Sequence, residues 1–162
     1  TELRLDNLAE AQTAVDKAQA AISTAPPSAF YLLEPISGMI EVNRALWMAS
    51  PDDKDLRKRA RRSTGLLKQF ARSFPYSKPR SLFWEGVFAR LDGDLEKARK
   101  LWLKGLERAR ELQMPYDEAL ILSGLGRDAA ETAAESAQHL EKARAIFSHL
   151  GAVYEINRLE EL

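Results

Sequence analysis

Residues 82–105 read Leu82-Phe83-Trp84-Glu85-Gly86-Val87-Phe88-Ala89-Arg90-Leu91-Asp92-Gly93-Asp94-Leu95-Glu96-Lys97-Ala98-Arg99-Lys100-Leu101-Trp102-Leu103-Lys104-Gly105, and this stretch decides the fold. Leu95, Ala98, Trp102, Gly105, Ala109 and Leu112 recur every three or four positions, the spacing of one face of a helix. Leu82, Phe83, Gly86, Ala89 and Arg90 belong to a preceding helix opened by Pro79. Between them, Asp92-Gly93-Asp94 is a tight turn: Gly93 supplies a permissive backbone and Asp94 can cap the next helix. Small residues at Gly86, Ala98 and Gly105 let two helix backbones approach, and Trp102 is placed to fill the gap between neighbouring pairs.

The same grammar extends in both directions. Upstream, Leu8, Ala11, Val15, Ala18 and Ile22 form a helical stripe that Pro26-Pro27 ends. A second helix is expected from Phe30 to about Ala49, with Leu33, Ile36, Ile40 and Trp47 inward; Pro35 and Gly38 count against its first turns. Ser50-Pro51-Asp52-Asp53 reads as the start of a third, with Ser50 as N-cap and Asp53 completing a capping box. Its face is Leu56, Ala60, Ser63, Leu67, Phe70 and Phe74. Downstream, a sixth helix opens at Met114-Pro115, with Asp117 and Glu118 suited to its N-terminal dipole, and runs to about Ala130. A seventh spans Glu135 to Leu150, with Ala137, Leu140, Ala143, Phe147 and Leu150 inward and Gly151 as C-cap. A short helix with Val153, Ile156 and Leu159 follows. Ala119–Leu122 is the nearest approach to a strand, and its surroundings favour helix. The expected class is all-α, an α-solenoid of antiparallel helix pairs in a single domain over residues 1–162.

The 82–105 pair resembles the tetratricopeptide repeat, which asks for a bulky residue and a small one in the first helix and a small–x3–bulky–x2–small run in the second. Ala11, Val15 and Ala18 repeat the second-helix pattern, Ala143, Phe147 and Leu150 repeat it again, and Leu122, Leu125 and Gly126 repeat the first. The Phe30–Phe74 pair departs from it, and Gly126 and Ala143 are too far apart for a standard unit. The phrases Leu112–Ala119, Leu125-Gly126-Arg127, His139–Phe147 and Leu150-Gly151-Ala152 resemble the helical tails of large bacterial multidomain ATPases, often fused to nucleotide cyclase, kinase or transcription-factor domains. That resemblance implies a sensing or interaction region. The first helix looks like the second member of a pair, and Thr1 stands where a starting Met would be, so the chain is expected to be a fragment of a longer protein.

Composition narrows the functional classes. The 162 residues carry 24 basic and 24 acidic side chains and no cysteine. Disulfides, thiolate zinc sites and a cysteine nucleophile are excluded, and net neutrality argues against a whole-chain nucleic-acid or membrane footprint. No apolar run reaches the ~20 residues of a membrane span, and Thr1–Arg4 shows no signal-peptide character; a cytoplasmic location is expected. His139 and His149 lie about 15 Å apart along a helix, on different faces, so no metal or other cofactor is expected. No serine sits in a G-x-S-x-G elbow, and no enzyme activity is expected. Gly124-Leu125-Gly126-Arg127-Asp128-Ala129 matches G-x-G-x-x-A but lacks the preceding strand a dinucleotide site needs; helix packing explains it better.

Two surfaces remain as binding candidates. In tetratricopeptide arrays the first helix of each pair lines a concave groove, and by resemblance Arg80, Phe83, Val87, Arg90, Ser123 and Arg127 would lie there, the arginines suited to carboxylate-bearing peptides. The competing reading makes Phe83 core and pairs the arginines with neighbouring acids. The second surface is the basic side of the third helix, Lys54, Arg57, Lys58, Arg61 and Arg62, opposite Leu56 and Ala60. It could hold phosphates or an acidic protein, but a solvated face explains it more simply. Trp47, Trp84 and Trp102 fit a core better than an aromatic cage. The expected function is protein or peptide binding, with other domains of the same full-length chain as possible partners. Nucleic-acid binding through the third helix, or small-ligand sensing between helix pairs, are the alternatives.

Overall fold

A computed structural model describes residues 7–24 and 32–160. They form eight α-helices: α1 Leu8–Thr24, α2 Leu33–Ala49, α3 Lys54–Ser73, α4 Lys78–Leu91, α5 Leu95–Glu111, α6 Pro115–Gly124, α7 Ala133–Leu150 and α8 Val153–Glu160. A 3-10 turn, Pro75–Ser77, precedes α4, and a π-helical turn, Leu125–Ala129, continues α6. No strand occurs among the described residues, and none of their helices is long and apolar enough to cross a membrane. Thr1–Arg4, Pro26-Pro27 and Phe30 lie outside the described residues. The chain divides into two compact units, Thr1–Ser77 and Lys78–Leu162.

In the first unit, Ala11 and Val15 of α1 bury against Met39 and Val42 of α2, with Ala18, Leu46 and Leu66 at the margin. The exposed positions of α1 are a mixture of polar residues and alanines, among them Glu10, Thr13, Ala14, Lys17 and Ala21. Asp16 of α1 pairs with Arg59 of α3, and Asn43 of α2 donates to Ser63 Oγ of α3 at 2.7 Å. Pro35 is tolerated because α2 begins at Leu33: the proline falls in the first turn, where its missing N–H has no intrahelical acceptor. The start of α3 is corrected. Asp53, not Ser50, is the N-cap, its carboxylate accepting from the N–H groups of Asp55 and Leu56 at 2.9 and 3.0 Å, while Ser50 closes α2 instead. The helix ends on stacked Phe70 and Phe74, with Tyr76 at the edge of both rings.

The second unit is organised around Trp102, which is fully buried. Its ring is flanked by two glycines. A methyl group built on Gly86 of α4 would come within 2.3 Å of the indole Nε1, and one on Gly124 of α6 within 3.1 Å of Cε2. The indole N–H donates to the Phe83 carbonyl at 3.0 Å. Gly105 plays the same part on α5, where a methyl would press on Ile121 and Leu82. Gly93 takes a positive φ of 83° in the α4–α5 turn, and Asp94 caps α5 by accepting from the Lys97 N–H. Arg80 and Asp117 are each the third residue of their helices, and their side chains meet. The N-termini of α4 and α6 therefore lie together, and α5, joined to both by short turns, runs the opposite way between them.

Four expected core positions are corrected. Leu95, Leu150 and Val153 are exposed at 52%, 42% and 63%, and Ala137 is exposed as well. Each sits in the first two turns or the last turn of its helix, and Leu106, Ala143, Phe147 and Leu159 carry the burial instead. The seventh helix also starts earlier than Glu135, because Thr132 caps it by accepting from the Glu135 N–H.

Candidate functional site

The π-helical turn is the local event from which the site follows. α6 continues without a break into Leu125–Ala129, where the wider i→i+5 turn carries Gly126, Arg127 and Asp128. Single π turns inside helices cluster at functional sites. Gly126 is required there: a methyl on it would stand 2.8 Å from Leu140 Cγ and 3.1 Å from the Ser136 carbonyl oxygen. The Ser136 hydroxyl donates to the Gly126 carbonyl at 2.6 Å, tying α7 to the turn. Gly124 and Gly126 are thus packing glycines against Trp102 and Leu140, which is the helix-packing reading of the G-x-G-x-x-A phrase.

Around this turn lies an open cleft of about 540 Å³, lined by Arg90, Gly126, Arg127, Asp128, Ser136 and Leu140. Two of the six groove residues, Arg90 and Arg127, meet here. Arg90 of α4 is 43% exposed and reaches Asp128 at 2.5 Å. The Arg127 guanidinium donates to the Arg158 carbonyl of α8. The cleft wall is therefore built of polar groups of both signs, fixed by α4, the π turn, α7 and α8.

The other four groove positions lie elsewhere. Arg80 is corrected as a ligand-facing residue: it is buried, with Nε 2.6 Å and Nη2 3.3 Å from the two Asp117 carboxylate oxygens. Its guanidinium lies over the Tyr116 ring at 5.0 Å, and the Tyr116 hydroxyl donates to buried Glu155. Phe83 and Val87 are half-buried against the core around Trp102. The Ser123 hydroxyl donates to the Leu120 carbonyl of its own helix. The two arginines of α4, Arg80 and Arg90, do pair with neighbouring acids.

Arg99 of α5 ties the end of the π turn to the start of α7. Its guanidinium donates to the Ala129 carbonyl at 2.6 Å and to Glu135 Oε1 at 2.9 Å, and lies 3.2 Å from Glu131. The Arg99 hydrogen bond, aided by the Glu131 backbone N–H, holds the Glu135 carboxyl down to about 2, against an ordinary 4.5. His139 approaches the same carboxylate at 3.4 Å. Among the described residues no three acidic or imidazole side chains gather as metal ligands would.

The basic residues of α3 stand as one exposed row in the first unit. Lys54, Arg57, Lys58, Arg61 and Arg62 are all solvent-exposed, and Lys68 and Arg72 extend the row. Arg57 lies over the ring of buried Trp47 at 5.6 Å. The three tryptophans are core residues, none more than 7% exposed. Sequence reasoning missed Gly126, Asp128, Ser136 and Leu140 as lining; the one available signal was the unexplained extra length between Gly126 and Ala143. The chain matches no family model, no curated protein and no solved structure.

Proposed function

We propose that this chain is a non-catalytic helical-repeat module of tetratricopeptide-like type, which binds a protein or peptide segment within a larger cytoplasmic regulatory protein. The observation that carries the reading is the cleft at the π turn, where Arg90, Arg127, Asp128 and Ser136 face one open channel. The repeat architecture draws support from Trp102, wedged between Gly86 and Gly124, because that spacing lets one helix pair stack on the next. Small-molecule pockets are mostly apolar and enclose their ligand. This cleft is open and its wall polar, which suits an extended peptide. A peptide carboxylate would compete with Asp128 for Arg90, and the backbone of the peptide would use Ser136 and the carbonyls of the turn.

The test is affinity capture from lysate at low and high salt, identifying both protein and nucleic acid, followed by rebinding of the captured segment to an Arg90→Ala variant. A defined protein retained at high salt and released by the substitution supports the cleft. A partner held equally by the variant removes the cleft from the reading, and capture of nucleic acid alone removes the protein-binding function.

A further inference from the structure

We infer that the solvent face of α3 is a second docking surface, independent of the cleft, and that its occupant is an acidic helical segment of a partner protein. Lys54, Lys58, Arg61, Gly65, Lys68 and Arg72 follow one another at spacings of four and three residues. That alternation keeps side chains in a single line along a helix. All six positions are exposed, and the line is about 27 Å long at 1.5 Å per residue. Asp55 is the lone acid among the twenty residues of the helix.

Solvent faces generally intersperse the two signs of charge. The same chain shows this on α5, where Lys100 pairs with Glu96 and Arg108 with Glu111. On α3 the i,i+4 neighbours Lys54 and Lys58, and Lys68 and Arg72, carry like charge, which costs helix stability. A row of one sign is a directed field, and it is suited to an anion presented at the same pitch.

The chemistry of the face selects which anion. No exposed aromatic side chain interrupts the row, so it offers no platform for unstacked bases. Among the described residues the large exposed apolar ones are Met48, Leu95, Leu103, Leu150 and Val153; none lies on α3, so the face has nothing to insert into a lipid surface. The chain is neutral as a whole, without the long-range field that gathers a polyanionic duplex. Carboxylates on a partner helix, spaced by three and four, advance at the same pitch as the row and meet its cations one by one, with the arginines able to take them in forked pairs. Gly65 sits in the middle of the line with nothing within 4 Å of where a Cβ would be, leaving a gap into which a partner side chain can settle.

The experiment uses the full chain and three fluorescent probes: an alanine-based helical peptide with glutamates at the 4-3-4-3-4 spacing, a scrambled peptide of equal composition, and a short DNA duplex. Anisotropy is read at about 150 mM salt. The patterned peptide should bind about tenfold or more tighter than the scrambled one and the duplex. Arg61→Glu with Lys68→Glu should abolish that advantage while the helical circular dichroism is unchanged, and Arg61→Gln with Lys68→Gln should weaken binding about tenfold should the reversal fail to fold. Equal binding of patterned and scrambled peptides overturns the inference. Tighter binding of the duplex reassigns the face to nucleic acid, and patterned-peptide binding that survives both double variants places it on another surface.

Discussion

Asp117→Asn removes one charge from a deeply buried ion pair of the second unit. Arg80 and Asp117 are each only 4% exposed through their side chains, so water cannot replace a lost partner. Breaking such a pair from one side costs about 3–5 kcal/mol, since an uncompensated charge is left inside. The two sides are not equivalent. Both residues occupy the third position of their helices, where the backbone dipole is positive. Asp117 is therefore stabilised by its own helix and Arg80 is opposed by its own, each by roughly 0.3–1 kcal/mol. Asp117→Asn leaves the cation at the wrong end of α4 and should cost about 3–5 kcal/mol. Arg80→Met keeps the aliphatic stem, leaves the anion at the right end of α6, and should cost about 1 kcal/mol less. The double variant Arg80→Met with Asp117→Leu should recover most of the loss, as apolar replacement of a buried pair often does. Urea unfolding followed by tryptophan fluorescence, in a Trp47→Phe background, reads the second unit through Trp84 and Trp102. Equal costs for the two single substitutions, or a greater cost for Arg80→Met, would refute the dipole argument. An Asp117→Asn cost below about 1 kcal/mol would refute the burial argument itself.

Three further outcomes are expected. Gly86→Ala should destabilise by about 1–3 kcal/mol through overpacking against Trp102, whereas Gly38→Ala, with open space around its Cβ, should stabilise α2 by about 0.5–1 kcal/mol; thermal melts of the two variants distinguish them, and equal shifts would show that the Trp102 contact is soft. The folded-state Glu135 carboxyl lies below its unfolded value, so its contribution to stability is complete above about 4.5 and is lost as pH falls toward about 2. A side-chain NMR titration with a midpoint near 4.5 would contradict the Arg99 clamp. Ser63→Ala leaves the buried Asn43 amide N–H without its Ser63 acceptor and should cost about 1–3 kcal/mol, measured by chemical denaturation of the first unit.

The helix pair around Trp102 was legible because its determinants are local and steric. Gly86, Gly93, Asp94, Ala98 and Gly105 each state a packing or turn requirement that a sequence shows directly. The start of α3 was misplaced because Ser50 and Asp53 are both competent caps three residues apart; which carboxylate or hydroxyl reaches an open N–H is decided by the backbone entering the helix. Leu95, Ala137, Leu150 and Val153 continue apolar stripes into end turns, where periodicity persists but neighbouring helices no longer cover it. Arg80 followed its repeat position toward a groove, yet its fate was set by Asp117, 37 residues away. The α3 row was half visible: Lys54 through Arg62 stood out as a cluster, while Lys68 and Arg72 joined it only through the unbroken twenty-residue helix.

The π turn has a consequence for how this chain tolerates length changes. A turn closed by i→i+5 bonds holds one residue more than the helix leading into it, and that surplus sets the angular phase of everything after it. Deleting a single residue between Leu125 and Ala129 would let α6 wind on regularly and rotate Arg127 or Asp128 by about 100° around the axis. Arg127 would leave the Arg158 carbonyl, Asp128 would leave Arg90, and Gly126 would no longer face Leu140. Substitutions in this segment act on single contacts, but a one-residue deletion acts on the whole cleft at once, in the manner of a frameshift written in geometry.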